Sequence, residues 1–483
     1  MARVMIIGYG PLPRPGLTYM AAPALRTRQF LKPILEAGHT VNLYTLPLKP
    51  DPGPGGDLSA MVPDSYEGLS FQRFTNSEPE FAVAQLTEQA RQIKPDAIVG
   101  VNTFPSFVAA RLPVRVPLWA DLNGYWMAEV QGKCRAEASD NWLSYAWSVE
   151  RTIVRRLDKF SAVSRSQIHA VTGELASVGR LNQHTFDYPF GHHVPNAAYR
   201  WETGMKPGED VIKPILRGPI VPTDAFVILW SGGFNVGADI PTLVEAMNLL
   251  MARYPMVHFV STGGRVEGQA SRPYDEFEER VGASPFKDRY HLLGWVESEK
   301  LPSIYHEADL GINVDARNYE TLFGARSRIN AMAAMDLAVA TTIGTEISEW
   351  LDDAKAILPA PIGDPQALAE TIEPWIDQRE GLRTFARNAV RVMKQDFSYN
   401  RTTRRLIDWL TDPAFAPDNQ VKIERGGDGL EDLSEIALNP LEEEAMLMAR
   451  HGLDKLREAL AANGERAGHR SVTRFLFGSR RGK

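Results

Sequence analysis

The chain has 483 residues, 44% of them hydrophobic, and a formal net charge of −7 at pH 7. This length predicts two domains of roughly 150–200 residues each. The acidic balance excludes a general nucleic-acid binder, because such a protein needs a basic surface to release counterions. The single cysteine, Cys134, excludes an intramolecular disulfide and a thiolate metal site, and it fits a reducing cytoplasm.

The N-terminal apolar run is short. It stops at Gly8 and lacks the length of a signal peptide. No stretch approaches the ~20 apolar residues that span a bilayer. We therefore expect a cytoplasmic protein, with any membrane contact confined to the inner face.

The first half of the chain alternates short apolar runs with a helical pattern. Strands are predicted at 4–8 and 41–46, and the helix between them, about 23–37, ends at Gly38. Later apolar runs predict strands at 94–100, 116–121 and 158–164. This order predicts a parallel sheet covered by helices. Pro195 and the polar stretch that runs to about Gly218 predict a linker.

The second half repeats the pattern. Strands are predicted at 226–230, 257–262, 290–293, 310–314 and 337–342, with helices at 240–253 and 326–335. A further helix is predicted at 396–410. The fold class is therefore α/β, with two doubly wound parallel sheets. Ligands in such sheets bind beyond the carboxyl ends of the strands.

The C-terminal segment changes in composition. Between Glu424 and Glu444 there are eight acidic residues and one arginine, which predicts a solvated linker. Residues 439–461 read as an amphipathic helix, and residues 466–483 carry six Arg/Lys and no acid. This tail either packs on its own protein, mediates self-association, or holds the chain on anionic lipid.

A glycine-rich turn follows the strand at 226–230. Ser231-Gly-Gly-Phe-Asn235 stands between this strand and a helix, where backbone N–H groups and the helix dipole can face a phosphate. Such a turn serves equally well for tight packing of the helix on the sheet.

Two arginines, Arg326 and Arg328, begin the helix that follows a Phe-Gly turn. Arginine at a helix N-terminus opposes the macrodipole, so helix stability does not explain these residues. Together with free N–H groups they predict a clamp for a diphosphate. The alternative is that they pair with surface acids such as Asp336.

These motifs together resemble bacterial family-4-type glycosyltransferases, which have the two-Rossmann-domain GT-B fold. The resemblance covers about residues 1–412. In the second half it rests on Trp230–Asn235, Val260–Gly264, Gly294-Trp-Val296, Ala308–Gly311 and Glu320 through Arg328. In the first half it rests on Gly38-His39, 158–164 and Val194-Pro-Asn196, and it resumes at Asp396-Phe-Ser-Tyr399.

The resemblance implies a hexosyltransferase-type enzyme with a nucleotide-sugar donor, no metal or other cofactor, and a role in glycan, glycolipid or glycoconjugate synthesis. It implies an acceptor domain (1–196), a linker (197–220), a donor domain (221–395) and a helix crossing back (396–412). Composition separately predicts the acidic linker (413–438) and the tail (439–483). The implied donor residues are Gly232, Gly233, Phe234, Asn235, Gly263, Val296, Phe323, Gly324, Arg326 and Arg328. The implied acceptor residues are Gly16, Arg26 and Asn123, and the catalytic candidates are Glu320, Asp121 and Glu129. For Asp121 and Glu129, an ordinary turn aspartate and a surface glutamate are the alternatives.

The sequence departs from the family pattern at three positions, and the first two favour a second hypothesis, a non-catalytic GT-B subunit that binds sugar or a partner protein. Ala331 stands where a carboxylate usually holds the donor ribose, Val236-Gly237 replaces a usual lysine, and Asp336 replaces a usual glycine. The retaining or inverting outcome is left open.

Other sites are less favoured by the residues. Prolines after Gly8-Tyr-Gly10 argue against a dinucleotide fingerprint. The pair His192-His193 is predicted to be structural, because adjacent strand residues point to opposite faces. Trp295 is predicted to lie in the core.

Overall fold

The computed structural model describes residues 1–14, 17, 21–51, 56–57, 59–198, 214–265 and 271–424. Gly16, the predicted helix at 439–461 and the basic tail lie outside these residues, as does most of the predicted acidic linker. The first residues of that linker differ from the prediction, since Pro417–Glu424 is a helix.

The first sheet has eight strands in the order β3-β4-β2-β1-β5-β6-β7-β8. All neighbours are parallel except the β3/β4 pair. The strands are β1 (Arg3–Gly10), β2 (Thr40–Pro47), β3 (Met61–Tyr66), β4 (Leu69–Phe74), β5 (Ala97–Gly100), β6 (Leu118–Leu122), β7 (Lys159–Ala162) and β8 (Gly191–His193).

Helices cover both faces of this sheet. Along β1, Val4 and Ile6 pack into one apolar layer while Met5 and Ile7 pack into the other, so the strand reads as a continuous apolar run. The helices are α1 (Ala22–Glu36), α2 (Pro79–Ile93), α3 (Thr103–Ala110), α4 (Trp126–Glu137), α5 (Leu143–Arg156) and α6 (Arg165–Ser177).

The second sheet has six strands, all parallel, in the order β11-β10-β9-β12-β13-β14. They are β9 (Phe226–Trp230), β10 (Val257–Ser261), β11 (Tyr290–Leu292), β12 (Leu310–Asn313), β13 (Val339–Thr342) and β14 (Leu358–Ala360). The strand order reverses between β9 and β12, which places a crevice at their carboxyl ends.

The helices of the second half again pack on both faces of their sheet. They are α7 (Ile240–Arg253), α8 (Arg272–Gly282), α9 (Leu301–Glu307), α10 (Tyr319–Phe323), α11 (Ser327–Ala334), α12 (Glu346–Asp353), α13 (Pro365–Ile372), α14 (Pro374–Asp377) and α15 (Leu382–Asp396). The two sheets with their helices confirm the predicted α/β class.

The last helices return to the first sheet. Helix α16 (Tyr399–Leu410) starts at the N-cap Ser398, and its Leu406 and Leu410 enter the apolar layer that also holds Val4. Helix α17 (Pro417–Glu424) is held by a buried ion pair between Arg180 and Asp418 at 2.8 Å. Within the described parts of the chain, no helix combines the length and apolarity needed to cross a membrane.

Candidate functional site

A cavity of about 150 Å³ lies between the carboxyl ends of the two sheets, and we call it the cleft cavity. Residues of both domains line it. From the second domain these include Ser231, Gly232, Thr262, Trp295, Val296, Tyr305, Ser327, Arg328 and Ala331, and from the first Ala22, Leu25, Arg26 and Gln29. The cavity therefore occupies the crevice that the topology predicts for a ligand.

Arg328 is the positively charged side chain of the second-domain wall of the cleft cavity. Its guanidinium lies 4.0 Å from the centre of the Trp230 ring, and its Nη2 donates to the Gly233 carbonyl. Burial lowers the pKa of Arg328 to about 10, although the nearby carboxylate of Asp315 opposes this shift. A pKa of about 10 leaves the side chain charged at pH 7. The stacking on Trp230 fixes the position of the cation at the cavity wall.

Two buried polar atoms at this wall have no hydrogen-bond partner among the described residues. They are Nη1 of Arg328 and Oγ1 of Thr262, and both residues line the cavity. A buried donor without a partner costs about 1–3 kcal/mol, so such groups are rare unless a ligand or water satisfies them. Thr262 was not among the predicted site residues. Its place directly after β10 and before Gly263-Gly264 is the signal that would have found it.

Arg326 differs from the prediction of a free clamp residue. Its Nε donates to Asp315 Oδ1 at 2.6 Å, and its Nη1 and Nη2 donate to the two oxygens of Glu320 at 2.8 and 2.7 Å. Burial alone would lower the pKa of Arg326, but the two carboxylates raise it above its ordinary value. Arg326 is therefore the buried residue that positions Glu320, and of the two predicted clamp arginines only Arg328 faces the cavity.

Gly237 packs directly against this ion-pair cluster. A Cβ at this position would collide with the carboxylate of Glu320 and the guanidinium of Arg326. The Gly237 carbonyl also accepts from the Ala316 amide at 2.7 Å. The departure from the family lysine at Val236-Gly237 thus has a local packing reason.

Glu129 lies on α4 and faces this cluster from the first domain. Burial raises the pKa of Glu129 to about 8, the charge of Glu320 acts in the same direction, and Arg326 opposes both. Glu129 is therefore protonated at neutral pH. A carboxylic acid beside a carboxylate is the pairing that acid–base chemistry uses.

Asp121 is not placed to act as an acid or base in the cleft, contrary to the prediction. It lies at the end of β6 as expected, but it is fully buried and both of its oxygens accept hydrogen bonds from Arg26, at 2.7 and 3.0 Å. Ser161 Oγ and the Asn102 amide also donate to it. Arg26, predicted to bind the acceptor, is committed to this same ion pair.

The glycine-rich turn holds its expected place but not all of its expected roles. Gly232 lines the cavity, and Gly263 packs so tightly on the Gly232 carbonyl that any side chain there would collide with it. Phe234 differs from the prediction, since its ring is buried in the core and stacks on Trp230 at 4.7 Å. The side chain of Asn235 accepts from the Gly237 amide and so shapes the turn.

The remaining predicted residues divide between the cavity wall and the domain contact. Val296 lines the cavity, and so does Trp295, which is 41% exposed rather than in the core. The Phe323 carbonyl accepts from Ser164 Oγ of the first domain at 2.7 Å. The Gly324 amide donates to the Glu320 carbonyl. Asn123 donates to Asn102 at 2.9 Å and does not line the cavity.

The histidine pair at the domain junction is tied to protein groups. His192 stacks on Trp119 at 5.1 Å, and His193 Nε2 lies 3.2 Å from Glu346 of the second domain. Over the described ranges, no group of three or more His, Cys, Asp or Glu side chains is arranged to hold a metal ion.

Comparisons with known proteins agree with this geometry. Residues 225–378 match the family "Glycosyl transferases group 1". No curated protein matches the sequence. The structure is similar to sucrose-phosphate synthase from Thermosynechococcus elongatus, with a TM-score of 0.59 and 14% identity over 84% of this chain and 97% of that one.

Two further solved structures are similar over most of the chain. Trehalose-6-phosphate synthase OtsA gives a TM-score of 0.64 at 11% identity, covering 86% of this chain and 100% of that one. Anabaena HepE, solved in complex with UDP-glucose, gives a TM-score of 0.54 at 14% identity, covering 85% and 100%. At these identities the likeness shows the fold alone, and that fold is GT-B, as predicted.

Proposed function

We propose that this protein is a glycosyltransferase that moves a sugar from a nucleoside-diphosphate sugar to an acceptor. The observation that carries the proposal is Arg328, a charged side chain fixed on Trp230 whose Nη1 lacks a partner at the wall of the cleft cavity. Phosphate oxygens are the acceptors that such a guanidinium recognises best. The group 1 match over residues 225–378 supports the same reading.

The cavity wall suggests how the donor lies. We place the diphosphate between Arg328 and the turn at Gly232, and the base beside Val296 and Trp295. The sugar then points toward Glu320. Arg328 supplies the charge that stabilises the leaving diphosphate, so we propose that transfer proceeds without a metal.

The cleft cavity is small for such a donor. Its volume of about 150 Å³ is below the roughly 300–1,000 Å³ of typical small-molecule pockets. A Cβ at Gly132 of the first domain would collide with Val236 of the second, so the two domains are closely packed here. We propose that the domains move apart to admit the donor and close around it.

Calorimetry of the full chain with UDP, GDP and dTDP tests this proposal. We expect saturable binding of one of them with a Kd in the micromolar range, about −8 kcal/mol. UDP is the first choice, since HepE was solved with UDP-glucose. The absence of binding by all three nucleotides at millimolar concentration would contradict the proposal.

A second candidate function has its own observation. Ala331 lines the cleft cavity, so the carboxylate that the family uses for the donor ribose is missing at the wall itself. A non-catalytic subunit would bind a nucleotide sugar without turnover. Hydrolysis of the bound donor separates the two functions. It releases free sugar and nucleoside diphosphate, and a coupled assay measures the nucleoside diphosphate.

Replacement of Glu320 by glutamine is expected to abolish transfer while leaving binding of the free nucleotide within about threefold. The glutamine oxygen still accepts from Arg326, but the negative charge beside the sugar is lost. Because one partner of a buried ion pair is weakened, the melting temperature should also fall. Donor turnover, nucleotide calorimetry and thermal unfolding check these results together.

The control for this variant is Glu297→Gln, an exposed carboxylate paired with Lys300 next to the cavity residue Val296. It should keep both turnover and binding. An equal loss of nucleotide affinity and turnover in Glu320→Gln would place Glu320 at the base or ribose end of the donor.

The finer assignment to family 4 rests on the motifs between Trp230 and Arg328. We propose it together with a retaining outcome. Product anomer analysis by NMR decides the stereochemistry.

A further inference from the structure

The carboxylate of Glu346 joins the two domains beyond the carboxyl ends of β7 and β13. Glu346 is the first residue of α12 in the second domain, and Arg165 is the first residue of α6 in the first domain. The Arg165 amide donates to Glu346 Oε2 at 2.6 Å, and the Arg165 guanidinium donates to Glu346 Oε1 at 2.9 Å. Both oxygens of Glu346 are therefore bonded to the other domain.

The ends of two helices explain why a carboxylate is stable at this place. The first N–H groups of a helix have no partner within the helix, and the helix dipole makes that end positive. The Arg165 amide is such a group at the start of the 13-residue helix α6. Glu346 also lies in the first turn of α12, so the dipoles of both helices favour its negative charge.

His193 is the second side chain of the first domain that reaches this carboxylate. Its Nε2 lies 3.2 Å from Glu346 Oε1 and 3.2 Å from the Val163 carbonyl. Because both of these oxygens accept, Nε2 carries the hydrogen and donates it. Burial lowers the pKa of His193, although Glu346 opposes this shift. The ring is therefore neutral at pH 7 and adds a hydrogen bond without adding a charge.

The charged contacts between the domains are concentrated on this residue. Among the described residues, every close contact between an acidic and a basic side chain that joins 1–196 to 221–395 ends on Glu346. The Arg165 guanidinium also lies over the Trp350 ring of α12, 5.7 Å from its centre. A single substitution at Glu346 thus removes the electrostatic link between the described parts of the two domains.

The same segment of the first domain holds the helix that carries Glu320. Ser164, which directly precedes Arg165, donates to the Phe323 carbonyl at 2.7 Å. Phe323 is the last residue of α10, and Glu320 lies in the first turn of that helix. The start of α6 therefore contacts the second domain at two points, and one of them belongs to the candidate reaction centre.

We propose that Glu346 is the closure residue of this protein: its bonds to Arg165 and His193 hold the two domains together, and they break when a donor enters. The inference rests on the proposed transferase function, since the cleft cavity of about 150 Å³ admits the donor only if the domains separate. The side chain of Arg165 is 62% exposed, so water replaces its bond to Glu346 at low cost. The contact is therefore reversible.

Small-angle X-ray scattering and stopped-flow binding of UDP to the full-length protein test this role. Glu346→Gln removes the charge and leaves one accepting oxygen where the carboxylate uses two. We expect a larger radius of gyration without nucleotide, and an association rate constant for UDP that rises about three- to tenfold. High salt should raise the radius of the unchanged protein toward that of the variant, because salt screens an exposed ion pair.

Glu349→Gln is the matched control. Glu349 lies in the first turn of the same helix and is exposed, so the variant loses the same charge without losing a contact to the first domain. It should match the unchanged protein in radius and in UDP association. Arg165→Ala should also open the domains. The double variant of Arg165→Ala and Glu346→Gln should be no more open than Glu346→Gln alone, because the two residues act through one contact.

An unchanged radius in Glu346→Gln overturns the proposal, and so does an equal increase in Glu349→Gln. The scattering measurement needs no nucleotide, so it separates this inference from the proposed function. A larger radius in Glu346→Gln, without binding of UDP, GDP or dTDP, keeps the closure residue and removes the transferase proposal. Binding of UDP with an unchanged radius and an unchanged association rate does the reverse.

Discussion

Replacement of Arg328 by alanine is expected to weaken nucleoside-diphosphate binding by at least tenfold, and by up to about a hundredfold. The variant loses a charge-assisted contact worth about 1.5–3 kcal/mol, and each 1.4 kcal/mol is a factor of ten in affinity. Because Arg328 carries an unpartnered Nη1 in the free protein, its removal relieves a buried polar group. The melting temperature should therefore change little. Calorimetric titration and thermal unfolding of the same samples measure both quantities.

A conservative variant and a control variant test which property of Arg328 binds the nucleotide. Arg328→Lys keeps a charge but loses the planar stacking on Trp230, so it should recover only part of the affinity. Arg383→Ala removes an arginine that is 72% exposed and paired with Glu380, and it should bind the nucleotide normally. Unchanged affinity in Arg328→Ala would show that the diphosphate does not lie at this wall of the cavity.

The strands that position the site were predictable from the sequence because they are buried on both faces. β9 and α7 occupy the residues predicted, since apolar side chains fill every position of Phe226–Trp230 and helix caps bound Ile240–Arg253. The β3/β4 pair was missed. β3 is the edge strand and β4 lies beside it. Exposed and half-buried residues alternate along Met61–Tyr66, so no continuous apolar run marks this strand.

The site was predictable to the level of the segment but not of the side chain. Arg326 and Arg328 are two residues apart, and the sequence pattern gives them the same role. The structure separates them because Asp315, 11 residues earlier, captures Arg326. Asp121 is at the strand end where it was expected, but Arg26, 95 residues away, buries it. Such long-range pairings decide which polar groups stay available, and local periodicity carries no record of them.

Replacement of Glu129 by glutamine is expected to lower transfer by about 10²–10⁴-fold and to remove one limb of the pH profile. With a pKa of about 8, Glu129 holds a proton at neutral pH and can give it to an oxygen that becomes negative as the diphosphate leaves. The unchanged enzyme should therefore lose activity as pH rises through about 8. Glutamine donates a hydrogen bond but no proton, so the variant should stay slow with no such decline. Steady-state rates between pH 6 and pH 10, a range of about two units below and above this pKa, measure the effect.

Stability gives an independent check on the same residue. Because burial raises the pKa of Glu129 above the ordinary value of 4.5, the folded chain binds more protons than the unfolded chain between that value and about 8. The stability of the unchanged protein thus falls as pH rises through this window, and glutamine removes the loss. The free energy of unfolding of Glu129→Gln, minus that of the unchanged protein, should therefore be larger above pH 8 than at pH 5. Glu137→Gln, on the same helix but exposed and paired with Lys133, should alter neither property. A slow variant that keeps the decline near pH 8 would assign that limb to another group.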